Sequence, residues 1–327
     1  MTLPWEPGSA TGIGSLPGTD IREALRIVFG ELPLPCLPEL PARGPGADLV
    51  GRTAGLLVDL PVQLYAGQWQ VADHPGRDLR RTADLWERDL DALTQQADGY
   101  TGAVKVQAAG PWTLAAALQL PLGGPLLRDS GAVRELSESL AEGLALHVAE
   151  VGRRIPGAQV LLQLDEPSLP AALAGRIPTE SGLGTLRTVA EPVARDRLGL
   201  VISSAGVSVV VHCCALDVPV RLLRDAGAVG VALDLSLNPP LDPLGEALDA
   251  GFGLFAGAFP AVGTPPTSAK AAGTVQDLWH KLGLPADRLT EQVVVTPACG
   301  QAGATPDDAR AALTVCREAA QRIREAA

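Results

Sequence analysis

The stretch VSVVVHCCALDVPVRLLRDAGAVGVALDLSLNPPLDPLGEALDAGFGLFAGA, residues 207–258, decides the fold. Three short apolar runs in it are separated by two longer amphipathic segments. The phrase Asp-Ala-Gly, at 225–227 and again at 249–251, ends a helical segment with glycine and leads into an apolar run. The same turn from helix to strand therefore occurs twice. This alternation is typical of a parallel sheet with helical connections.

The alternation extends over the whole chain. Apolar runs rich in Val, Ile and Leu predict eight strands, at residues 11–15, 36–39, 104–108, 160–164, 207–213, 229–234, 253–258 and 293–298. Helical periodicity between them predicts helices that include 20–31, 78–97, 132–154, 268–282 and 306–327. Continuous apolar runs indicate strands covered on both faces. We therefore predict an α/β fold, a single (β/α)8 TIM barrel over residues 1–327, with a rim insertion at 61–70.

Composition excludes several classes of protein. The 327 residues carry a formal charge of −11 and are 46% hydrophobic, which excludes a disordered chain and a collagen-like fibre and argues against a nucleic-acid partner. Five scattered cysteines are too few for a disulfide framework and favour a reducing compartment. No signal sequence is visible at the start, and Ser and Gly residues interrupt the uncharged stretch 198–216. We expect a cytoplasmic protein without a membrane span.

Polar residues end the predicted strands, and barrel active sites lie at the carboxyl ends of strands. Three of these residues, His212, Cys214 and Cys299, have the side chains that zinc prefers. His212 and Cys214 are two apart on a strand end and point to the same side, whereas Cys213 points away. A strand-end cysteine is more commonly a small buried hydrophobic residue, so spacing alone leaves zinc and simple burial about equally favoured. Burial is the interpretation for the two remaining cysteines, Cys36 and Cys316.

Five motifs follow one another at the predicted strand ends: TGIGSLP at 11–17, GPWTL at 110–114, QLDEPSLP at 163–170, VHCC at 211–214 and TPACG at 296–300. In this order they resemble the catalytic barrel of the cobalamin-independent methionine synthase family, a fold related to uroporphyrinogen decarboxylase. The resemblance covers nearly the whole chain. It implies a short form of the family with one TIM barrel.

The resemblance also implies the metal site. Zinc would be held by His212, Cys214 and Cys299. Family members place a glutamate ligand at the end of the following strand, where this chain has Asp234. A carboxylate at a barrel end also caps neighbouring turns, and that is the alternative role of Asp234.

The substrate site follows from the same resemblance. The family binds the amino-acid part of homocysteine with residues that fall on Ile13, Gly14, Ser15 and Asp165. The implied activity is a zinc-dependent transfer of a methyl group to the homocysteine thiol, which gives methionine, with no catalytic residue beyond the zinc site. No role is assigned to the strand-end acids Glu39 and Glu166.

Three positions depart from the family pattern. Gly51 stands where the family has a glutamate, Ala117 where it has the tryptophan that stacks on the pterin, and Ala258 near its catalytic histidine. A pterin donor needs a flat platform and a proton source. We therefore expect a methylcorrinoid donor, methylcobalamin either free or on a corrinoid carrier protein, ahead of 5-methyltetrahydrofolate. Trp69 or Trp112 is an alternative platform. A barrel that acts on another thiol and a non-catalytic paralogue are the competing functions.

Overall fold

The computed structural model describes residues 3–326; Met1, Thr2 and Ala327, the last residue of the predicted C-terminal helix, lie outside the described residues. A parallel sheet of six strands in chain order forms the centre, and a separate antiparallel hairpin precedes it. The hairpin strands are β1 (Val62–Tyr65) and β2 (Gln68–Val71), and the sheet strands are β3 (Ala103–Ala109), β4 (Gln159–Asp165), β5 (Val209–Cys213), β6 (Gly230–Asp234), β7 (Gly253–Gly257) and β8 (Val293–Thr296).

Helices connect the strands and cover the outside of the sheet. They are α1 (Ile21–Glu31), α2 (Leu49–Ala54), α3 (Arg77–Gln96), α4 (Pro111–Ala117), α5 (Ser130–Arg154), α6 (Leu169–Leu173), α7 (Glu191–Ser204), α8 (Val220–Asp225), α9 (Leu241–Asp249), α10 (Ser268–Leu282), α11 (Ala286–Gln292) and α12 (Pro306–Ala326). The uncharged stretch 198–216 is divided between α7, a turn and β5. Within residues 3–326 no helix has the length and apolar character that a membrane crossing requires.

Two of the eight predicted strands are not regular strands. Segments 11–15 and 36–39 are extended but are held by single bridges, which join Ala10 to Val295, Ser15 to Glu39 and Cys36 to Lys105. These bridges place the two segments between β8 and β3 and complete the ring of the barrel. Proline explains the interrupted ladder, because Pro35 and Pro38 have no N–H to donate.

The inward side chains of the strands change in character along the barrel. Leu161, Val210 and Phe255 belong to a small apolar cluster inside the ring, while the alternate residues pack against the helices. Side chains two residues apart point to the same face. The inward positions that follow Leu161 and Val210 toward the carboxyl ends are therefore polar, and they are Gln163, Asp165 and His212.

The segment predicted as an insertion forms the β1–β2 hairpin. Ala66 and Gly67 make its two-residue turn, both with positive φ, as tight hairpins require. Trp69 on β2 is 7% exposed and packs against α2. A Cβ atom added to Gly51 would lie 2.5 Å from Cζ2 of Trp69, so the indole fills the space next to this glycine.

Candidate metal centre and substrate site

His212, Cys214 and Cys299 meet at the carboxyl ends of β5 and β8. Their possible ligand atoms all lie within 4.8 Å of one another, and the two sulfur atoms are 3.4 Å apart. His212 is buried and both cysteines are half-buried. One imidazole and two thiols match the donor set of a catalytic zinc site, which has three protein ligands and an open position.

The two ring nitrogens of His212 have different surroundings. Nδ1 lies 2.6 Å from Oδ1 of Asp165. Nε2 is buried and makes no hydrogen bond of regular geometry among residues 3–326, where the Cys299 sulfur is the polar group near the ring. A buried polar atom without a partner is costly, whereas a carboxylate on one nitrogen and a metal on the other is the usual setting of a ligating histidine. The residues present therefore fit a zinc ion bound through Nε2 and the two sulfurs.

The charges of the cluster are coupled. Burial alone would lower the pKa of His212. The hydrogen bond with Asp165 and the neighbouring Cys299 sulfur outweigh this effect, and together they raise the pKa to about 9. The contact between the two sulfurs lowers the pKa of Cys299 and raises the pKa of Cys214. Of the two thiols, Cys299 is therefore the one that loses its proton more readily.

Asp234 lies outside this cluster. Its Oδ1 accepts hydrogen bonds from the N–H of Ser236 at 2.9 Å and from the Ser236 hydroxyl at 2.7 Å, and it caps the short helical turn Leu235–Leu237. The predicted fourth ligand is therefore not brought to the other three. A short aspartate side chain is readily held by a backbone N–H two residues later, and the structure favours the alternative role, capping of a turn.

The residues predicted to bind substrate lie next to the cluster. Ser15 contacts Gly300, the residue after Cys299, so closely that a Cβ atom on Gly300 would overlap its hydroxyl. Gly14 packs on the side chain of Gln107, where an added Cβ would lie 3.0 Å from the amide carbon. Gly14 and Gly300 thus permit the segment 11–15 to lie close to the metal cluster.

A buried hydrogen-bond network below the site was not predicted. Nζ of Lys105 donates to the carbonyl oxygen of Ile13 at 2.9 Å. Nε2 of Gln163 lies 2.8 Å from the same oxygen and 2.8 Å from Oδ1 of Asp165. The sequence contains one indication of this network: polar residues occupy alternate positions in two otherwise apolar strands. They are Lys105 and Gln107 in β3, and Gln163 and Asp165 in β4.

The two unassigned strand-end acids differ in their partners. Glu166 accepts the backbone N–H of Trp112 at 3.0 Å and both the N–H and hydroxyl of Thr113 at 2.8 Å, so it caps the start of α4. Glu39 is 4% exposed and lies near Asp165. Burial raises the pKa of each acid to about 7. Glu166 has a structural role, whereas Glu39 is a buried carboxyl at the site end of the barrel.

The departures from the family pattern have visible consequences. Trp69 occupies the space beside Gly51, so a larger side chain at 51 is excluded. Trp112 is buried, and its Nε1 donates to the Ala194 carbonyl at 3.1 Å. This hydrogen bond joins the indole on α4 to helix α7. Ala117 ends α4, and Ala258 follows β7. The described side chains at 117 and 258 supply neither an aromatic ring nor a proton.

Comparison with known proteins identifies the family. The family model of the cobalamin-independent synthase catalytic domain matches residues 9–322. A B12-independent methionine synthase from Shewanella sp. W3-18-1, solved in complex with selenomethionine, aligns over 98% of both chains with a TM-score of 0.67 and 14% identity, which shows a shared fold. An endo-beta-1,4-mannanase from Cellulomonas fimi is a much weaker match: the alignment covers 71% of this chain and 58% of the mannanase chain, with a TM-score of 0.38 and 14% identity. No curated protein matches the chain. Because the family model spans nearly all of the sequence, the chain belongs to the cobalamin-independent methionine synthase catalytic-domain family.

Proposed function

We propose that this protein is a zinc-dependent methyltransferase that moves a methyl group to the sulfur of homocysteine and so forms methionine. One observation carries the proposal, the convergence of His212, Cys214 and Cys299 within 4.8 Å at the site end of the barrel. Membership of the methionine synthase family supports the reaction class. The chain positions these residues without help from Asp234.

The chemistry of the proposed site lies in its donor set. Zinc would be held by Nε2 of His212 and the sulfurs of Cys214 and Cys299. When bound, it lowers the pKa of a coordinating substrate thiol, which then reacts as the thiolate at neutral pH. Asp165 binds Nδ1 of His212, so Nε2 is the nitrogen that would face the zinc. The two cysteine thiolates add negative charge, which favours a nucleophilic substrate sulfur.

The amino-acid part of homocysteine would lie against the Ile13–Gly14–Ser15 segment. The N–H groups of Gly14 and Ser15 have no hydrogen-bond partner within residues 3–326, and two such donors with a hydroxyl suit a carboxylate. Oδ1 of Asp165 is occupied by His212 and Gln163. Its Oδ2 accepts no hydrogen bond from the described part of the chain, and it is available for the substrate ammonium.

The proposed methyl donor is 5-methyltetrahydrofolate. The sequence favoured methylcobalamin and a corrinoid carrier protein, but the comparisons give these no support, because the matching family is defined by independence from cobalamin. A corrinoid donor is therefore not supported for this chain. Ala117 and Ala258 leave the pterin platform and the proton source of the family unassigned in this chain.

A methyl-transfer assay tests the function. Zinc-loaded protein is incubated with homocysteine and 5-methyltetrahydrofolate, and methionine is measured. We expect methionine from the wild type and from the matched control Cys213→Ser, and none from Cys214→Ser/Cys299→Ser. Methionine with methylcobalamin and none with the folate would overturn the proposed donor. Methylation of a thiol that lacks the amino-acid group, with none of homocysteine, would overturn the proposed acceptor.

A further inference from the structure

Lys105 is a buried cation inside the barrel. It lies on β3, is 0% exposed, and forms no salt bridge among residues 3–326. Lysine is almost never fully buried unless it is paired with an acid. Burial lowers the pKa of Lys105, which reflects the free-energy cost of a charge at this position. An apolar side chain would fill the interior without that cost, so packing does not explain the residue.

The partners of Lys105 are oxygens of the substrate segment and its support. Nζ donates to the Ile13 carbonyl at 2.9 Å and lies 3.4 Å from Oε1 of Gln107. Nε2 of Gln107 in turn donates to the Leu37 carbonyl at 2.6 Å, and its side chain packs on Gly14. Lys105 therefore contacts the Ile13–Gly14 peptide directly, and it lies next to Gln107, whose side chain packs on Gly14.

The same peptide is connected to the metal cluster. The Ile13 carbonyl oxygen accepts a second hydrogen bond, from Gln163. Both lone pairs of this oxygen are therefore used. Gln163 also contacts Oδ1 of Asp165, and that oxygen holds Nδ1 of His212. A continuous chain of hydrogen bonds thus runs from Lys105 to a proposed zinc ligand.

Fixing this carbonyl has a consequence for the next N–H. In a trans peptide the C=O and the following N–H point in opposite directions, so two donors on the Ile13 oxygen also fix the Gly14 N–H. That N–H and the N–H of Ser15 have no partner in the part of the chain the structure describes. Two ordered backbone donors without partners, close to a buried cation, are suited to an anionic group.

We propose that Lys105 is a positioning residue for substrate recognition, which holds the Ile13–Gly14 peptide so that the N–H groups of Gly14 and Ser15 receive the carboxylate of the thiol substrate. The inference rests on the proposed function and deepens it. It places carboxylate selectivity on a residue that does not itself contact the substrate. Lys105 should therefore control the choice between thiols with and without a carboxylate.

The test compares two acceptors, homocysteine and 3-aminopropane-1-thiol, which is homocysteine without its carboxylate. The variant Lys105→Met keeps an unbranched side chain as far as the ε position and removes the Nζ donor. Gln292→Met is the matched control, because Gln292 is also buried and its Nε2 donates to the Leu248 and Phe252 carbonyls at 2.7 and 2.9 Å, outside the site. KM, kcat, zinc content and Tm are measured for each protein.

We expect Lys105→Met to raise the KM for homocysteine about tenfold and to leave kcat/KM for 3-aminopropane-1-thiol within about twofold, since a lost positioning contact is typically worth about one factor of ten. Gln292→Met should lower Tm and leave the ratio of the two kcat/KM values unchanged. An unchanged ratio in Lys105→Met, or an equal loss with both thiols, would overturn the inference and leave the proposed function standing.

Two further outcomes are informative. If Lys105→Met does not fold, Gln163→Leu removes the other donor to the Ile13 carbonyl, and an unchanged ratio in that variant refutes the inference. If the wild type methylates neither thiol and calorimetry shows no homocysteine binding to the zinc-loaded protein, the proposed function fails and the inference fails with it.

Discussion

Oδ1 of Asp165 lies 2.6 Å from Nδ1 of His212, and the same oxygen lies 2.8 Å from the amide nitrogen of Gln163. The family resemblance assigns Asp165 to the amino-acid part of homocysteine. The structure adds a contact with a proposed metal ligand and a contact with the network that holds Ile13. Because these contacts use Oδ1, the second carboxylate oxygen is left for a substrate, and the two roles are compatible.

Asp165→Asn should weaken zinc binding as well as homocysteine binding. The amide keeps the shape but removes the charge that stabilises the Nδ1–H of His212, and loss of such a support typically costs about 10–100-fold in metal affinity. Zinc affinity is measured by competition with a chelator. Asp234→Asn is the matched control, since Asp234 is also a strand-end carboxylate and lies outside the cluster. Unaltered zinc affinity in Asp165→Asn would contradict the assignment.

Single replacement of either cluster thiol should remove zinc. Cys214→Ser and Cys299→Ser each leave two of three protein ligands, so we expect a loss of more than about 100-fold in zinc affinity, beyond the effect of a supporting residue. Cys213→Ser should retain the metal, because Cys213 is buried in the core between the strand and the helices. Metal content is measured after dialysis. Full zinc occupancy in both Cys214→Ser and Cys299→Ser would refute the site.

The elements that were predicted well have strong local patterns. Helix α10 begins and ends at the predicted residues, because its apolar positions follow the helical period and Gly283 ends it. Strand β6, a continuous apolar run after the Asp-Ala-Gly turn, differs from its predicted bounds by one residue. The strands predicted at 11–15 and 36–39 are only bridged segments. Their apolar runs are correct, but the prolines within and beside the second run remove the donors that a regular ladder needs.

The site was accessible from the sequence only in part. The two-residue spacing of His212 and Cys214 is a local signal, whereas Cys299 is 85 residues from Cys214 and was associated with it through the family motifs. The hydrogen bonds from Ser236 to Asp234 also join residues that are close in sequence. The sequence alone does not distinguish this capping role from a role as a metal ligand. Lys105 and Ile13 are 92 residues apart in the sequence, so local sequence periodicity does not predict their contact.

Restoring the family glutamate at position 51 should destabilise the protein. A side chain at Gly51 would meet the Trp69 indole at 2.5 Å, and overpacking of this kind costs about 1–3 kcal/mol. The double variant Gly51→Glu/Trp69→Ala should lose less free energy of unfolding than the sum of its single changes. Urea unfolding measures these values. Gly152→Glu on α5, where an added Cβ meets nothing within 4 Å, is the control and should not be destabilising. Additive losses at 51 and 69 would disprove the contact.

Glu39 predicts a specific dependence of stability on pH. Burial raises the pKa of this carboxyl from 4.5 to about 7, so the folded protein keeps a proton that the unfolded chain has released in this range. A raised pKa contributes stability that is fully present below pH 4.5 and is lost as the pH rises through about 7. The difference corresponds to about 3 kcal/mol.

Glu39→Gln removes this titration and keeps the size of the side chain. The free energy of unfolding of the variant, relative to the wild type, should therefore increase by up to about 3 kcal/mol between pH 4.5 and pH 8. Urea unfolding at pH 4.5, 6 and 8 measures the difference, with zinc content recorded at each pH. Glu166 also has a pKa raised to about 7, but it is present in both proteins and cancels in the comparison. Glu138→Gln, at an exposed position of α5, should leave the profile unchanged. If the difference between Glu39→Gln and the wild type is constant across this range, Glu39 is not a buried acid that binds its proton in the folded state.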